Sequence, residues 1–175
     1  MTELQKSYAQ SLIQYATLLG AVNAVVFDIK DIVFDPRTII KCMFGCSDWG
    51  KGLTCPSANP QMKMEDYEKI FKKYSFGIVV QANDKKTNQD ISFELERKAF
   101  QDGYYFAFSL SDCAVCKQCA GFEGKDCNNK KKARPAFHSV GIDVFKTVHR
   151  LGLPLYTLKE NDDRPQNWYA AVFIE

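Results

Sequence analysis

No apolar run in this chain is long enough to cross a membrane. The longest, LLGAVNAVVF at residues 18–27, is about half of the roughly 20 residues that a spanning helix needs. A dominant charge is missing too. The 23 Lys and Arg residues against 21 Asp and Glu leave a formal net charge of +2, so neither nucleic acid nor a membrane surface is the expected partner. The start, MTELQKSYAQ, has no basic flank followed by an apolar stretch. No signal or transit peptide is expected, and the expected location is cytoplasmic. No Gly-rich phosphate loop follows a strand, and neither G-x-S-x-G nor H-E-x-x-H occurs. Nucleotide, serine-hydrolase and zinc-protease readings therefore have no support. Internal repeats and low-complexity tracts are also absent.

What is present is an ordinary globular composition with one excess. At 175 residues, 46% hydrophobic and 25% charged, the chain is one domain that builds a core without cross-links. The excess is in thiols, with seven cysteines. In reducing cytosol, clustered cysteines point to metal or redox work rather than structural disulfides. An odd count would also leave one thiol outside any full disulfide framework.

Periodicity places these thiols on a scaffold. Leu4, Tyr8, Leu12, Tyr15 and Leu19 recur at steps of three and four, so they predict a helix closed by Gly20. AVNAVVFDI reads as a strand. DPRTIIKCMFGC reads as a short helix that starts at Asp35-Pro36 and delivers Cys42 into a loop. MEDYEKIFKKYS and NQDISFELERKAFQDG read as helices, FGIVVQA and YYFAFSLS as strands. SVGIDVFKTVHRLG predicts one helix with Val140, Val144 and Val148 as its apolar face. LPLYTL and WYAAVFIE are the last two strands, joined by KENDDRPQN as an antiparallel hairpin. The alternation predicts a single α/β domain over residues 1–175, a sandwich with a mixed sheet of about five strands. Cysteine-rich loops are expected at residues 42–60 and 111–135.

The strongest chemical signal is CAVCKQCAGFEGKDC. Cys113, Cys116 and Cys119 follow a C-x2-C-x2-C spacing, which lets one tight loop aim three thiolates into a concave space. Bacterial ferredoxins cap cubane clusters this way. A single zinc ion needs four ligands and is usually served by two separated C-x2-C knuckles. No second knuckle exists here, because Cys42, Cys46 and Cys55 form C-x3-C-x8-C. The spacing therefore favours one or two [4Fe-4S] clusters, with zinc as the alternative. Cys127 is the nearest fourth ligand for the Cys113 loop. Cys55 precedes Pro56, and in two-cluster ferredoxins the cysteine before proline ligates the other cluster, so a crossed arrangement stays open. Seven divides as four plus three, one closed cluster and one with an open iron. The alternative is a single cluster with the spare cysteines structural. A radical S-adenosylmethionine reading fails, because the third upstream cysteine comes too late and the chain is too short for that barrel.

Other residues have weaker claims. Lys130, Lys131, Lys132 and Arg134 would stabilise a negatively charged cluster or dock an acidic redox partner protein, or they form a solvated basic turn. His138 lies within reach of a cluster as a ligand or proton donor, or it hydrogen-bonds locally. His149 sits late in a helix, where a cation suits the dipole. Asp48 is a candidate oxygen ligand, and Trp49 a shield against water.

KCMFGCSDWGKGLTCP, AFQDGYYFAFSLSDCAVCKQC and ARPAFHSVGIDV together resemble a family of predicted metal-binding proteins common in anaerobic bacteria and methanogens. The resemblance covers most of the chain and implies metal or iron–sulfur binding without an agreed reaction. Its matching positions are Cys42, Cys46, Cys55, Cys113, Cys116, Cys119 and Cys127. Members often carry two prolines after the third cysteine; here Ser57 stands in place of the second. The expected function is one-electron transfer, or redox chemistry on a small-molecule ligand at the open iron. The alternatives are a zinc-stabilised binding module and an enzyme acting on a sulfur compound or small acid.

Overall fold

The computed structural model describes residues 1–58, 62–157 and 166–175. Helix α1, Glu3–Leu18, starts at a reciprocal cap. Thr2 Oγ1 accepts from the Gln5 N–H, and Gln5 Oε1 accepts from the Thr2 N–H. Two otherwise orphaned donors are satisfied at once. Then come β1 (Asn23–Asp28), α2 (Thr38–Gly45), α3 (Met64–Phe71), β2 (Phe76–Ala82), α4 (Lys85–Gln101), β3 (Phe108–Leu110), α5 (Val144–Arg150) and β4 (Trp168–Phe173).

The strands form one sheet in the order β1-β2-β4-β3. Val79 on β2 faces Val25 on one side and Ala171 on the other, and Leu110 faces Ala171 across the β3–β4 pair. Every residue of β2 is buried, as a central strand covered on both faces requires. Alternation sends Phe76, Ile78 and Val80 to one face, where Leu12, Ala16, Ile91 and Leu95 of α1 and α4 cover them. On the opposite face Val79, Phe173 and Leu110 meet Phe71 of α3, Val148 of α5 and the loop residues Phe137, Val140 and Ile142. The result is three layers, helix–sheet–helix, with a core on each side of the sheet.

The expected α/β sandwich is present, with differences in detail. Among the described residues the sheet has four strands rather than five, and every pairing is antiparallel rather than mixed. The expected strand LPLYTL forms no strand over residues 153–157. Pro154 has no N–H for a ladder. Its carbonyl instead accepts from the Tyr169 hydroxyl and, at 3.2 Å, from Asn167 Nδ2. The Leu155 carbonyl is held 2.7 Å from His149 Nε2. Leu158 and most of the connector expected to form the hairpin lie outside the described residues. The helix expected over SVGIDVFKTVHRLG is split. A 3-10 turn, Phe137–Val140, ends at Gly141 with φ 84°, and α5 starts only after Asp143 caps the Lys146 N–H. A positive φ of this size suits glycine and stops the helix. Of YYFAFSLS only residues 108–110 pair, because the chain first turns back on α4 through Tyr104 N–H to the Ala99 carbonyl.

This topology fixes the position of the cysteines. Strands β2 and β3 each pair antiparallel to β4, so both leave the sheet at the same end. There β2 feeds the start of α4 at Lys85, and β3 feeds Cys113. The upstream cysteines arrive by a separate path. The bridge Phe34↔Ile142, with Asp35 N–H donating to Gly141 O at 2.8 Å, pins the entrance of α2 beside the 3-10 turn.

Candidate metal centre

At that end of the sheet lies a cavity of about 170 Å³, and all seven cysteines line it. Cys42, Cys46 and Cys55 come from α2 and the loop after it; Cys113, Cys116, Cys119 and Cys127 come from the loop after β3. The two cysteine groups, distant in sequence, thus share one space. All seven thiols are free. Cys42 is the buried one and Cys46 is exposed, with the other five between.

The two loops meet at Gly121. A Cβ built there would run into the Lys51 carbonyl, 2.8 Å from its carbon, and would lie 3.1 Å from Gly52 Cα. Only glycine permits backbone to approach backbone so closely. Beside this contact Lys51 Nζ lies 5.8 Å from the Phe122 ring centroid, a cation–π contact between the loops.

Several sulfurs already have donors. Gly50 N–H donates to Cys55 Sγ at 3.2 Å, Asn129 N–H to Cys127 Sγ at 3.4 Å, and Asn129 Nδ2 to Cys116 Sγ at 3.0 Å. Ser57 Oγ lies 3.0 Å from Cys55 Sγ, a hydrogen bond that a proline at this position would not make. Burial pushes the Cys42 thiol up to about 11, and the neighbouring Cys46, Cys55 and Asp112 push in the same direction. Thiolates crowded into a poorly solvated space resist ionisation until a cation joins them.

The C-terminal loop is clamped from α4. The buried Gln89 accepts from Ala114 N–H at 2.5 Å and donates to the Lys132 carbonyl at 3.3 Å, bridging both arms of the loop. Arg134 closes the loop's exit. Its guanidinium donates to both Glu96 carboxylate oxygens, with both side chains 12% exposed, and stacks between Phe93 and Phe108 at 5.1 Å from each centroid. Glu96 also accepts from Ser109 N–H and Oγ. Of the basic run, Lys130, Lys131 and Lys132 are exposed, but Arg134 is an internal anchor rather than part of a solvated turn.

His138 lines the cavity, as do Asp48 and the half-buried Trp49. His149 is apart from it, turned to the Leu155 carbonyl. Sequence reasoning missed Lys85, Gln89, Asp112 and Asn129. Gln89 had a readable signal, because it falls with Asn88 and Ser92 in the buried stripe of Ile91, Leu95 and Ala99 on α4. A polar side chain at such a position needs a partner.

Among the described residues no group of three or more His, Cys, Asp or Glu side chains is a ready-made seat for a single metal ion. The thiols instead surround a space. An α/β sandwich whose loops gather free thiols around one cavity has the build of a thiolate metal-binding protein. The family model described as Predicted metal-binding protein (DUF2284) matches residues 25–174, and the chain belongs to that family. The match takes in all seven cysteines and leaves out α1. No curated protein and no solved structure matches the chain.

Proposed function

We propose that this is an iron–sulfur protein that works from the shared cavity. Cys113, Cys116, Cys119 and Cys127 hold one [4Fe-4S] cluster. Cys42, Cys46 and Cys55 hold a second, with one iron open. The function is one-electron transfer to a partner protein, or redox chemistry on a small molecule at the open iron. The observation that carries the reading is the convergence of seven free thiols on one cavity. A lone zinc ion with Zn–S bonds of about 2.3 Å draws its sulfurs to within roughly 3.8 Å of one another. A cubane fills a larger space and takes its thiolates at separated corners. Cys113, Cys116 and Cys119 keep the spacing that caps a cubane, and all three line this cavity. The N–H donors on Cys55, Cys116 and Cys127 add to this, since hydrogen bonds to sulfur tune such clusters.

The test is iron, sulfide and zinc per chain on protein purified without oxygen, with its visible spectrum. About eight irons with matching sulfide support two cubanes; about four support one cluster drawn from both groups. Zinc without sulfide overturns the reading and leaves a zinc-stabilised binding module. A Cys116→Ala change should remove or convert the cluster on the Cys113 loop, and an unchanged iron content would refute that assignment.

A further inference from the structure

Beside the thiol cavity lies a second one of about 220 Å³, and Asp112, Ala136 and His138 line both. The rest of its wall is largely apolar, with Phe137, Phe145, Leu155 and Trp168. Lys85 marks the boundary. It lines the thiol cavity, and its ammonium lies 5.8 Å from the Trp168 ring centroid. Of the polar side chains that line the second cavity, Gln166 is exposed, and the others, with Lys85 at the boundary, fall into two sets. Tyr169 and Asn167 are committed, both donating to the Pro154 carbonyl, with Asn167 Oδ1 also accepting from Gln81. Among the described residues Lys85, Asp112 and His138 have no ion pair and no side-chain hydrogen bond. All three are half-buried. Arg134, the other half-buried charge of the same loop, is fully paired, whereas the unpaired lysines there are exposed. Partly desolvated groups without an ion pair or hydrogen bond lose hydration that only a ligand's polar contacts would restore.

We propose that the two cavities together bind a small monocarboxylic acid with an apolar body. The body lies against Phe145, Leu155 and Trp168. The carboxylate reaches Lys85 at the boundary, with the His138 ring as a further donor, and so faces the thiols. Asp112 on the shared wall disfavours a second negative charge, which selects monoanions over dianions. The chemistry of such a site rests on the cluster reading; the binding does not.

The experiment is calorimetric titration of the full chain, purified without oxygen, with phenylacetate as the probe. Iron and sulfide are measured on the same sample. Saturable one-site binding is expected. Neutral phenylacetamide and the dianion homophthalate should each bind about tenfold more weakly or worse, the loss expected for a missing charge-assisted bond or an added repulsion. Lys85→Gln should weaken phenylacetate to the level of the amide, and Lys85→Arg should recover part of it. Phe145→Ala should weaken acid and amide alike, with far-UV circular dichroism checking that all three variants fold. No saturable binding to the folded wild type would overturn the proposal, as would equal affinity for acid and amide. An iron-free sample that binds phenylacetate would sink the cluster reading and leave this one standing. An iron-loaded sample that does not bind would do the reverse.

Discussion

Replacing Gly121 with alanine tests whether contact between the loops gathers the seven thiols. The added methyl would stand 2.8 Å from the Lys51 carbonyl carbon and 3.1 Å from Gly52 Cα, where ordinary contacts start at 3.4 Å. The obstacle is backbone, with the Lys51 carbonyl oxygen nearer still, so no rotamer change relieves it, and the loops must part by more than about an ångström, at a cost of about 1–3 kcal/mol. For a chain of this size that lowers the melting temperature by roughly 2–12 °C. Parting the loops also opens the shared cavity, so on the proposed reading the three-cysteine Cys42 group loses the opposite wall and iron and sulfide per chain should fall toward what the Cys113 loop holds alone. Gly124 provides the control. It has φ 68°, and a methyl added there would meet nothing within 4 Å. Gly124→Ala therefore strains the backbone by about 1–2 kcal/mol without pushing the loops apart, and should lose stability while keeping its metal. The assays are a thermal melt and metal analysis on protein purified without oxygen. Wild-type iron and an unshifted melt for Gly121→Ala would refute the idea that this contact builds the shared cavity.

Other expectations concern the supports of the site. Arg134→Met leaves Glu96 buried without its cation and should cost about 3–5 kcal/mol, a drop of roughly 6–20 °C in the melt; a shift within error would show the pair to be dispensable. Ser57→Ala removes the hydroxyl beside Cys55 Sγ and should lower the reduction potential of a cluster bound there, because a donor to sulfur favours the more negative reduced state; redox titration decides it. Alkali should destabilise the fold through Tyr169. Burial, with Tyr156 adding, raises its pKa from 10.0 to about 12, so the unfolded chain releases the proton first. That share of stability is complete below pH 10 and is lost as pH rises through about 12. Chemical denaturation across this range should show a decline that is smaller in Tyr169→Phe.

The legible parts of the fold were those determined locally. The run FGIVVQA became β2 at the expected residues 76–82, because an uninterrupted β-rich stretch is covered on both faces. The cysteine spacing pointed to metal binding, and the family match agrees at that level. The illegible parts depended on distant partners. LPLYTL has strand composition, but Tyr169 and Asn167 claim the Pro154 carbonyl. Val140, Val144 and Val148 keep helical spacing across Gly141, yet the chain breaks there and still delivers Val140 and Val148 to the core. That two cysteine groups share one cavity depends on the bridge Phe34↔Ile142, which pins the entrance of α2, and on the fit at Gly121. No local pattern encodes either.

Neither hydrophobic core includes a cysteine. The apolar side chains that hold the three layers together lie along the sheet, and the thiols gather at its end. This separates two events in the life of the protein. The cores offer the body a route to fold on hydrocarbon burial, with the metal joining the end of the sheet separately. On the iron–sulfur reading proposed above, a cell short of iron would accumulate a folded, empty protein that can be loaded when iron returns. On the same reading, oxidative loss of the cluster would be a repairable injury rather than a route to degradation.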